Sequence, residues 1–455
     1  MNYNLFLIVL HFFLFAICIF TDKHFIDSYA SYIYLSQLLS IFYGIYKVKN
    51  NLILFLSPSF LTIFYISLNF IFGHYAVTND LGLNNNYYST YQSYYSINFI
   101  TAFFIACNFV VYFTIPFKKF TSINFITFKT AKSQVNLFSV QIVTLFLFLF
   151  AVGSFEINLN FLGADGNFNY AFEFAIVIIL VLINRNNSTK YRAIVYLFIL
   201  IIFIINHYDS KREIMFVLIL ILFLESVKNG GNILVRLKTL LLSSILVIVF
   251  IYIVVVSSIL RGYGNYNVDS PIEAFGLVGD YLESDIASDA LVMNFEINHV
   301  YGNATNAVNY VYTNNADLLY GSTFYKLIFT PIPRSMMPNK PESMVHIYTS
   351  KFDPTFRAIG GSFPIIVYSE VFWNFHLIGL LLLYFIFVIF NKYYYLILKS
   401  LVLNRISQFT ILYLYLYSTF IQFIRGAGIE VWLIYGIISF PFIYVISKLL
   451  IKKGC

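Results

Sequence analysis

Hydrophobic runs separated by short polar breaks occupy most of this 455-residue chain. An apolar helix of 20 residues rises about 30 Å, which matches the hydrocarbon core of a bilayer. Spans are predicted near residues 5–20, 30–46, 52–72, 94–115, 135–153, 168–183, 191–205, 214–227, 239–260, 371–390, 406–424 and 430–449. The pattern therefore predicts an all-α polytopic integral membrane protein with about twelve transmembrane helices.

A single long polar stretch, residues 261–361, interrupts these runs. It divides the chain into residues 1–260 with helices 1–9, the large loop, and residues 362–455 with helices 10–12. Asp269 or Ser270 can cap a helix whose first position is Pro271. Residues 321–329 have the pattern of a short amphipathic helix. The loop is therefore predicted to be partly helical.

Composition supports the membrane class. Hydrophobic residues make up 60% of the chain and charged residues 11%, which is more apolar surface than a soluble interior of this size could hold. Cys18, Cys107 and Cys455 suit neither a disulfide framework nor a thiolate metal site. The first apolar run has no basic n-region or cleavage motif, so we expect it to be a retained span.

Charge orients the predicted spans, because cytoplasmic loops retain Lys and Arg. With the N-terminus inside, 18 of the 28 basic residues and only one of the 21 acidic residues, Glu225, fall on the cytoplasmic side. Both termini are therefore predicted to be cytoplasmic, and the large loop faces outward. The net charge of +7 follows from this bias and indicates no nucleic-acid partner.

The basic residues on the outer side are not explained by insertion. Arg212, Arg261, Arg357 and Arg425 fall at or near predicted membrane boundaries. The planar guanidinium group matches phosphate oxygens, so this set indicates an anionic, lipid-linked ligand. The alternative is a set of interfacial anchors that extend toward water or pair with nearby carboxylates.

The second half of the loop carries further candidates. The segment Pro331-Ile332-Pro333-Arg334 follows the amphipathic stretch and is stiffened by its prolines, and Lys340-Pro341 comes next. Glu370 lies at the start of the following span. A carboxylate there costs free energy unless it is hydrated, paired with a cation or part of a functional site. Glu370 is therefore a candidate site residue. Its alternative role is to compensate the helix dipole.

With these residues the chain resembles the Wzy-type O-antigen or oligosaccharide repeat-unit polymerases of bacterial envelopes. The similar features are many spans with one large outer loop late in the chain, together with Ser210-Lys211-Arg212, Pro331-Ile332-Pro333-Arg334, Lys340-Pro341, Gly360-Gly361-Ser362, and Glu370 followed by Asn374-Phe375. The resemblance implies a multi-pass glycosyltransferase of the bacterial inner membrane. Such an enzyme transfers the growing glycan from undecaprenyl diphosphate to the nonreducing end of another lipid-linked repeat at the periplasmic face, in O-antigen or related surface polysaccharide biosynthesis.

This reaction releases a lipid diphosphate, whose growing charge calls for preorganised cations. Glu370 and Arg334 are the predicted catalytic residues, with Glu370 either a base or the partner that orients an arginine. Binding of the diphosphate and glycan is predicted for Arg212, Arg261, Lys340, Arg357 and Arg425. His299, His346 and His376 are other candidates for a base. The outer loop has no Asp-x-Asp and the seven histidines are scattered, so no metal or cofactor is expected.

The expected partners are an undecaprenyl-diphosphate-linked oligosaccharide and membrane lipids, with a chain-length regulator and a flippase of the same pathway. Three alternatives remain open. An O-antigen ligase has a similar layout and also depends on basic residues in outer loops. A lipid-linked oligosaccharide flippase would carry charges inside its spans, whereas here charges lie mainly at the span ends, which favours an enzyme. A structural assembly partner would tolerate replacement of Arg334 and Glu370.

Overall fold

The structure, a computed structural model, describes most of the chain as helices. The residues described are 3–79, 96–123, 169–184, 189–206, 211–228, 252, 255–256, 258–260, 268, 270–284, 297–314, 318–329, 332, 336–403, 407–426 and 429–450. Every regular element within them is helical, which confirms the predicted all-helical class. The predicted span at 135–153 and most of that at 239–260 lie outside the described residues.

The first half of the chain forms helices close to the predicted runs. They are α1 (Tyr3–Phe20), α2 (Lys23–Tyr46), α3 (Asn51–Phe55), α4 (Pro58–Thr78), α5 (Ile97–Phe113), α6 (Phe117–Thr121), α7 (Asn169–Asn184), α8 (Thr189–Asn206) and α9 (Lys211–Lys228). The predicted run at 52–72 is broken at Ser57, whose side chain caps α4 ahead of Pro58. A serine cap followed by proline begins a new helix, so two elements form where one was expected.

The second half begins with short helices and ends with long ones. They are α10 (Pro271–Gly276), α11 (Val278–Glu283), α12 (Ile297–Asn314), α13 (Ser322–Phe329), α14 (Met344–Phe352), α15 (Pro354–Ala358), α16 (Val367–Phe375), α17 (Gly379–Val402), α18 (Gln408–Ser418), α19 (Phe420–Arg425) and α20 (Ile429–Leu450). Ser270 caps α10, and the amphipathic segment forms α13, both as predicted.

Two described segments are long and apolar enough to cross a membrane. They are Pro58–Thr78, with 21 residues, and Val367–Val402, with 36 residues. Shorter apolar helices cover Leu5–Phe20, Ile97–Phe113, Glu173–Leu182, Tyr191–Leu200 and Trp432–Val445. Helices of a buried core pass the same test of length and composition. The predicted count of twelve spans is therefore not confirmed by the described part of the chain.

Helices α4 and α5 run antiparallel at the centre of the bundle, and polar side chains fix their register. Ser59 contacts Thr114 at 2.8 Å near one end, and Asn108 donates to Ser67 at 3.1 Å near the middle. Asn391 of α17 donates to Ser59 at 2.7 Å and to Thr114 at 2.9 Å. These bonds inside an apolar bundle place three helices at defined heights relative to each other.

The acidic residue Glu225, predicted to be the only acid on the cytoplasmic side, has a cationic partner on a neighbouring helix. Arg192 of α8 donates to its two carboxylate oxygens at 2.8 and 3.1 Å, and Tyr196 donates to it at 3.0 Å. The Arg192 side chain is only 4% exposed. A bidentate pair of this kind removes the cost of placing the carboxylate between apolar helices.

Helix α12 comes from the polar loop but packs in the bundle. Its residues Tyr301, Ala304, Ala307 and Val308 are all buried, and the Tyr301 ring lies 5.3 Å from that of Phe70 on α4. A spacing of three and four residues puts these side chains on one helix face. Helix α12 therefore packs against α4 through its apolar face.

The apolar segment Val367–Val402 is divided by a sharp turn at residues 375–378. His376 has a φ of 52°, and a Cβ at Gly379 would overlap the carbonyl oxygen of Val371, so α17 starts against the body of α16. The Tyr368 hydroxyl donates to Asn108 at 2.9 Å. The start of α16 therefore lies beside the middle of α5, and the predicted single span at 371–390 is two helices.

A second turn, between α19 and α20, packs directly on the segment that precedes α16. Gly426 has a φ of 111° and is buried, and a Cβ there would overlap the carbonyl oxygen of Ile365. Only glycine combines this backbone conformation with so close an approach. The turn after α19 and the segment before α16 therefore meet at Gly426 and Ile365.

The packing at Gly426 predicts a large cost for added bulk. We expect Gly426→Ala to lower the free energy of unfolding by on the order of 4 kcal/mol, because the methyl group must displace a backbone carbonyl. Gly360→Ala is the matched control, since Gly360 also has a positive φ, 87°, but open space around its Cβ position. We expect it to cost about 1 kcal/mol. Thermal unfolding in detergent measures both, and equal losses would contradict the close approach.

Candidate functional site

A buried polar cluster joins α13 to α16. The Thr323 hydroxyl donates to a Glu370 carboxylate oxygen at 2.7 Å. The Asn374 side-chain amide donates to Thr323 at 3.0 Å and to the Glu370 carbonyl at 2.8 Å. Glu370 is only 1% exposed, and Thr323 and Asn374 are fully buried. A carboxylate removed from water in this way needs such donors around it.

Backbone contacts fix the same junction. The Leu319 N–H donates to the Trp373 carbonyl at 3.1 Å. Gly321 has a φ of 82°, and its Cβ position lies 2.9 Å from the Phe375 ring, so a larger residue would push the turn away from α16. Helix α13 is thus attached to α16 at its start, and its end leads into the segment that contains Arg334.

The Lys340 side chain contacts the backbone at Ile332. Its side chain is 6% exposed, and its ammonium group donates to the Ile332 carbonyl at 3.1 Å. This contact uses one of the three donors of the ammonium group. The predicted role of Lys340 in substrate binding stays a prediction.

Arg425 ends a helix whose following turn packs on the segment before Glu370. It is the last residue of α19, immediately before the Gly426 turn that packs on Ile365, and Ile365 lies five residues before Glu370. The Tyr417 hydroxyl donates to the Leu56 carbonyl at 2.6 Å, which holds α18 beside the start of α4. Arg425 is half-buried at the end of its helix, and its predicted position at a membrane boundary stays a prediction.

Arg357 lies in the last turn of the short helix α15 and is half-buried. Asp353 caps this helix by accepting from the Phe356 N–H at 2.9 Å and from the Thr355 hydroxyl at 2.6 Å. These bonds lower the pKa of Asp353, so the cap stays ionised at neutral pH and is lost only in acid. The Phe356 ring packs 4.8 Å from Phe363, beside the segment that leads to Ile365.

Amide side chains that the sequence analysis did not single out hold this segment. Asn303 of α12 donates to the Pro364 carbonyl at 2.9 Å, and the Tyr348 hydroxyl donates to Asn303 at 3.3 Å. Thr349 accepts from the Phe363 N–H at 2.8 Å. No local motif marks these residues, because their partners are backbone groups more than ten residues away. The signal available for finding them was the set of Asn and Thr residues that interrupts the apolar face of α12.

The histidines considered as bases lie in different surroundings. The His299 ring stacks on Phe363 at 6.0 Å and is half-exposed. His376 occupies the turn between α16 and α17, with its ring 4.6 Å from Phe372. His346 lies on α14. His299 is thus the histidine whose ring contacts the segment before Ile365.

The remaining predicted residues are not brought to the cluster by the described part of the chain. Arg261 and Arg334 lie outside the described residues, and Arg212 is in the first turn of α9. Within the described ranges, no three His, Cys, Asp or Glu side chains converge as a metal site requires. The structure therefore brings the turn after Arg425 onto Ile365, five residues before Glu370, and the helix of Arg357 packs through Phe356 on Phe363 of the same segment.

The described part of the chain is an all-helical bundle that buries the carboxylate of Glu370, and the turn after Arg425 packs on the segment that precedes this helix. Comparisons of the chain with protein-family models, with curated proteins and with solved structures find no match.

The bond between Thr323 and Glu370 predicts how firmly α13 is held. Thr323→Val keeps the side-chain shape but removes the hydroxyl, which leaves the buried carboxylate short of a donor at a cost of about 2 kcal/mol. We expect faster tryptic cleavage at Lys326 of α13. Thr323→Ser, which retains the hydroxyl, is the control and is expected to cleave like wild type. Equal cleavage of all three proteins would show that this bond does not anchor α13.

Proposed function

We propose that this chain is a polymerase of lipid-linked oligosaccharide repeat units in the bacterial inner membrane. It transfers the growing glycan from undecaprenyl diphosphate to the nonreducing end of a second lipid-linked repeat at the periplasmic face. The observation that carries the proposal is the meeting of the Gly426 turn, which follows Arg425, with the segment that begins the Glu370 helix. Arg425 is half-buried at the end of α19, and a guanidinium group matches the oxygens of a phosphate ligand.

The chemical step exchanges one carbon–oxygen bond for another. The acceptor hydroxyl oxygen bonds to the anomeric carbon of the donor, and the bond from that carbon to the diphosphate oxygen breaks. The diphosphate leaves with the bonding electron pair, and the hydroxyl proton passes to a base. Because attack comes from the face opposite the leaving group, the configuration is inverted. No oxidant or reductant takes part.

The leaving diphosphate gains negative charge in the transition state, so positioned cations lower its energy. Arg425 and Arg357 supply guanidinium groups in this proposal, and Arg334, Arg212 and Arg261 are further candidates on sequence grounds. Arg425 sits on a helix end whose turn has almost no freedom to move, because Gly426 is packed on Ile365. Such fixed placement is what preorganisation requires.

Glu370 serves as a positioning residue in this proposal. At 1% exposure it has little access to an acceptor hydroxyl, and its carboxylate holds Thr323 at the start of α13. Helix α13 leads directly to the segment that contains Arg334. His299 is the base that we propose, because it is half-exposed and stacks on Phe363 beside the segment before Ile365.

Removal of the Arg425 charge is expected to reduce polymerisation strongly. In proteoliposomes with a synthetic lipid-linked repeat, wild type should form longer lipid-linked glycans, and Arg425→Ala should form them about a hundredfold more slowly because one transition-state cation is lost. Lys399→Ala, at an exposed position in the last turn of α17, is the matched control and should retain activity.

Other products would contradict the polymerase. Transfer of glycan only to added lipid A core would identify a ligase. Movement of the lipid-linked repeat between leaflets without any change in glycan length would identify a flippase. Normal glycan lengths made by Arg425→Ala would remove Arg425 from the site.

The two proposed roles of His299 and Glu370 predict different kinetic defects. His299→Gln should lower kcat by about a hundredfold with little change in KM, because a base acts only in the chemical step. Glu370→Gln keeps an oxygen that can accept from Thr323, so it should lower kcat much less. Initial rates of glycan extension over a range of lipid-linked repeat concentrations separate the two. A larger kcat loss for Glu370→Gln would reassign the base.

A further inference from the structure

A cavity of about 360 Å³ lies between α17, α18 and α20. Along α17 it is lined by Ile386, Ile389, Phe390, Tyr393, Tyr394 and Ile397. Spacings of three and four residues make this one continuous stripe on the helix. The stripe covers about 16 Å of helix length at 1.5 Å per residue. The cavity is therefore a long groove.

A matching stripe on the neighbouring helices forms the other wall. Tyr413, Leu416 and Tyr417 line it from α18, and Phe420 continues it at the start of α19. The Tyr393 and Tyr413 rings lie 5.1 Å apart, and the Phe390 and Phe420 rings 5.0 Å apart. The two stripes thus run side by side along the groove.

The groove presents almost only carbon to an occupant. None of the lining residues, all of them in the described part of the chain, is charged. The Tyr394 hydroxyl donates to the Ile53 carbonyl at 2.8 Å, and the Trp432 indole N–H donates to the Leu416 carbonyl at 2.9 Å. Because these donors are used inside the protein, they leave apolar surface toward the groove. An occupant that fits is a hydrocarbon.

The groove is open along one side. Ile389 is 48% exposed and Tyr393 is 43% exposed, whereas Phe420 and Tyr394 are buried. A chain can therefore enter sideways from the surface of α17. A cavity of 150 Å³ holds a benzene molecule, so this volume has room for on the order of a dozen carbon atoms. A flexible hydrocarbon chain suits a long, open groove better than a compact ring system.

The groove also adjoins the proposed site. Phe420 lines it, and Arg425 ends the same short helix five residues later, about 8 Å along the helix axis. The Trp432 ring packs against Phe420 at 5.9 Å and against Phe423 at 5.8 Å, which continues the apolar surface toward Arg425. An arginine at the end of an apolar groove complements a molecule with an anionic head and a hydrocarbon tail.

We propose that this groove binds the prenyl chain of the lipid diphosphate whose head group lies at Arg425. This rests on the proposed function for the identity of the lipid, and it adds a subsite that holds on the order of a dozen carbon atoms of the chain. Binding energy from the chain holds the diphosphate in place without contacting the reacting atoms. The rim residue Ile389 controls access to the groove.

The test narrows the groove at an exposed position. Ile389→Trp places a larger ring in the opening, and Leu381→Trp makes the same change at a 63% exposed position of α17 outside the groove. Binding of undecaprenyl phosphate and of the short dimethylallyl phosphate to purified protein is measured by native mass spectrometry. We expect wild type and Leu381→Trp to prefer the long chain of undecaprenyl phosphate, and Ile389→Trp to bind it about tenfold more weakly with binding of dimethylallyl phosphate unchanged.

The same binding assay distinguishes this proposal from the polymerase. Loss of long-chain binding in Ile389→Trp alone supports the groove even where wild type fails to extend glycans, and the polymerase then fails by itself. Unchanged binding in Ile389→Trp overturns the groove even where wild type is an active polymerase. Displacement of undecaprenyl phosphate by equimolar phosphatidylglycerol overturns the assignment to a prenyl chain, because it shows a site for any membrane lipid.

Discussion

The close approach of Gly426 to the Ile365 carbonyl is the constraint on which the second half of the structure depends. It joins the turn after α19 to the segment before α16, and no side chain can stand between them. Arg425, one residue before that turn, is thereby held near the helix that carries Glu370. The groove on α17 and α18 ends near the same turn, because Phe420 and Arg425 share α19. This one backbone contact thus sets where Arg425 and the end of the apolar groove lie relative to α16.

Amide and hydroxyl side chains then set how the helices are aligned. Asn108 is the clearest case, since it donates to Gln37 and Ser67 and accepts from Tyr368, which connects four helices. Apolar contacts alone leave a helix free to slide, because one turn of Leu, Ile and Phe resembles the next. A buried hydrogen bond is lost by any shift, so these polar residues select one arrangement.

The sequence predicted where helices form better than where they break or how single residues in them are packed. Apolar runs are long-range patterns that survive without tertiary information, so α1, α5 and α7 begin and end near their predicted limits. The breaks at Ser57 and His376 were missed, because apolar residues continue on both sides of each. Glu370 was found from the cost of a carboxylate in an apolar run, whereas Thr323 was not, since a threonine in a short amphipathic helix is unremarkable until its partner is known. Arg425 was predicted at a boundary because a basic residue between two apolar runs suggests a loop, but nothing in the local sequence indicates that the next residue, Gly426, packs on Ile365.

The position of Gly426 along the chain also affects assembly. A polypeptide is made from its N-terminus, so α16 leaves the ribosome before the turn that packs against it exists. Until α19 and α20 have been synthesised, the segment around Ile365 lacks its opposing surface and Glu370 belongs to a partly packed helix. The helix that carries the buried Glu370 therefore reaches its final environment only after α19 and α20 have been made. A chain that lacks these two helices would consequently expose apolar surface around Ile365, as incompletely packed folding intermediates do.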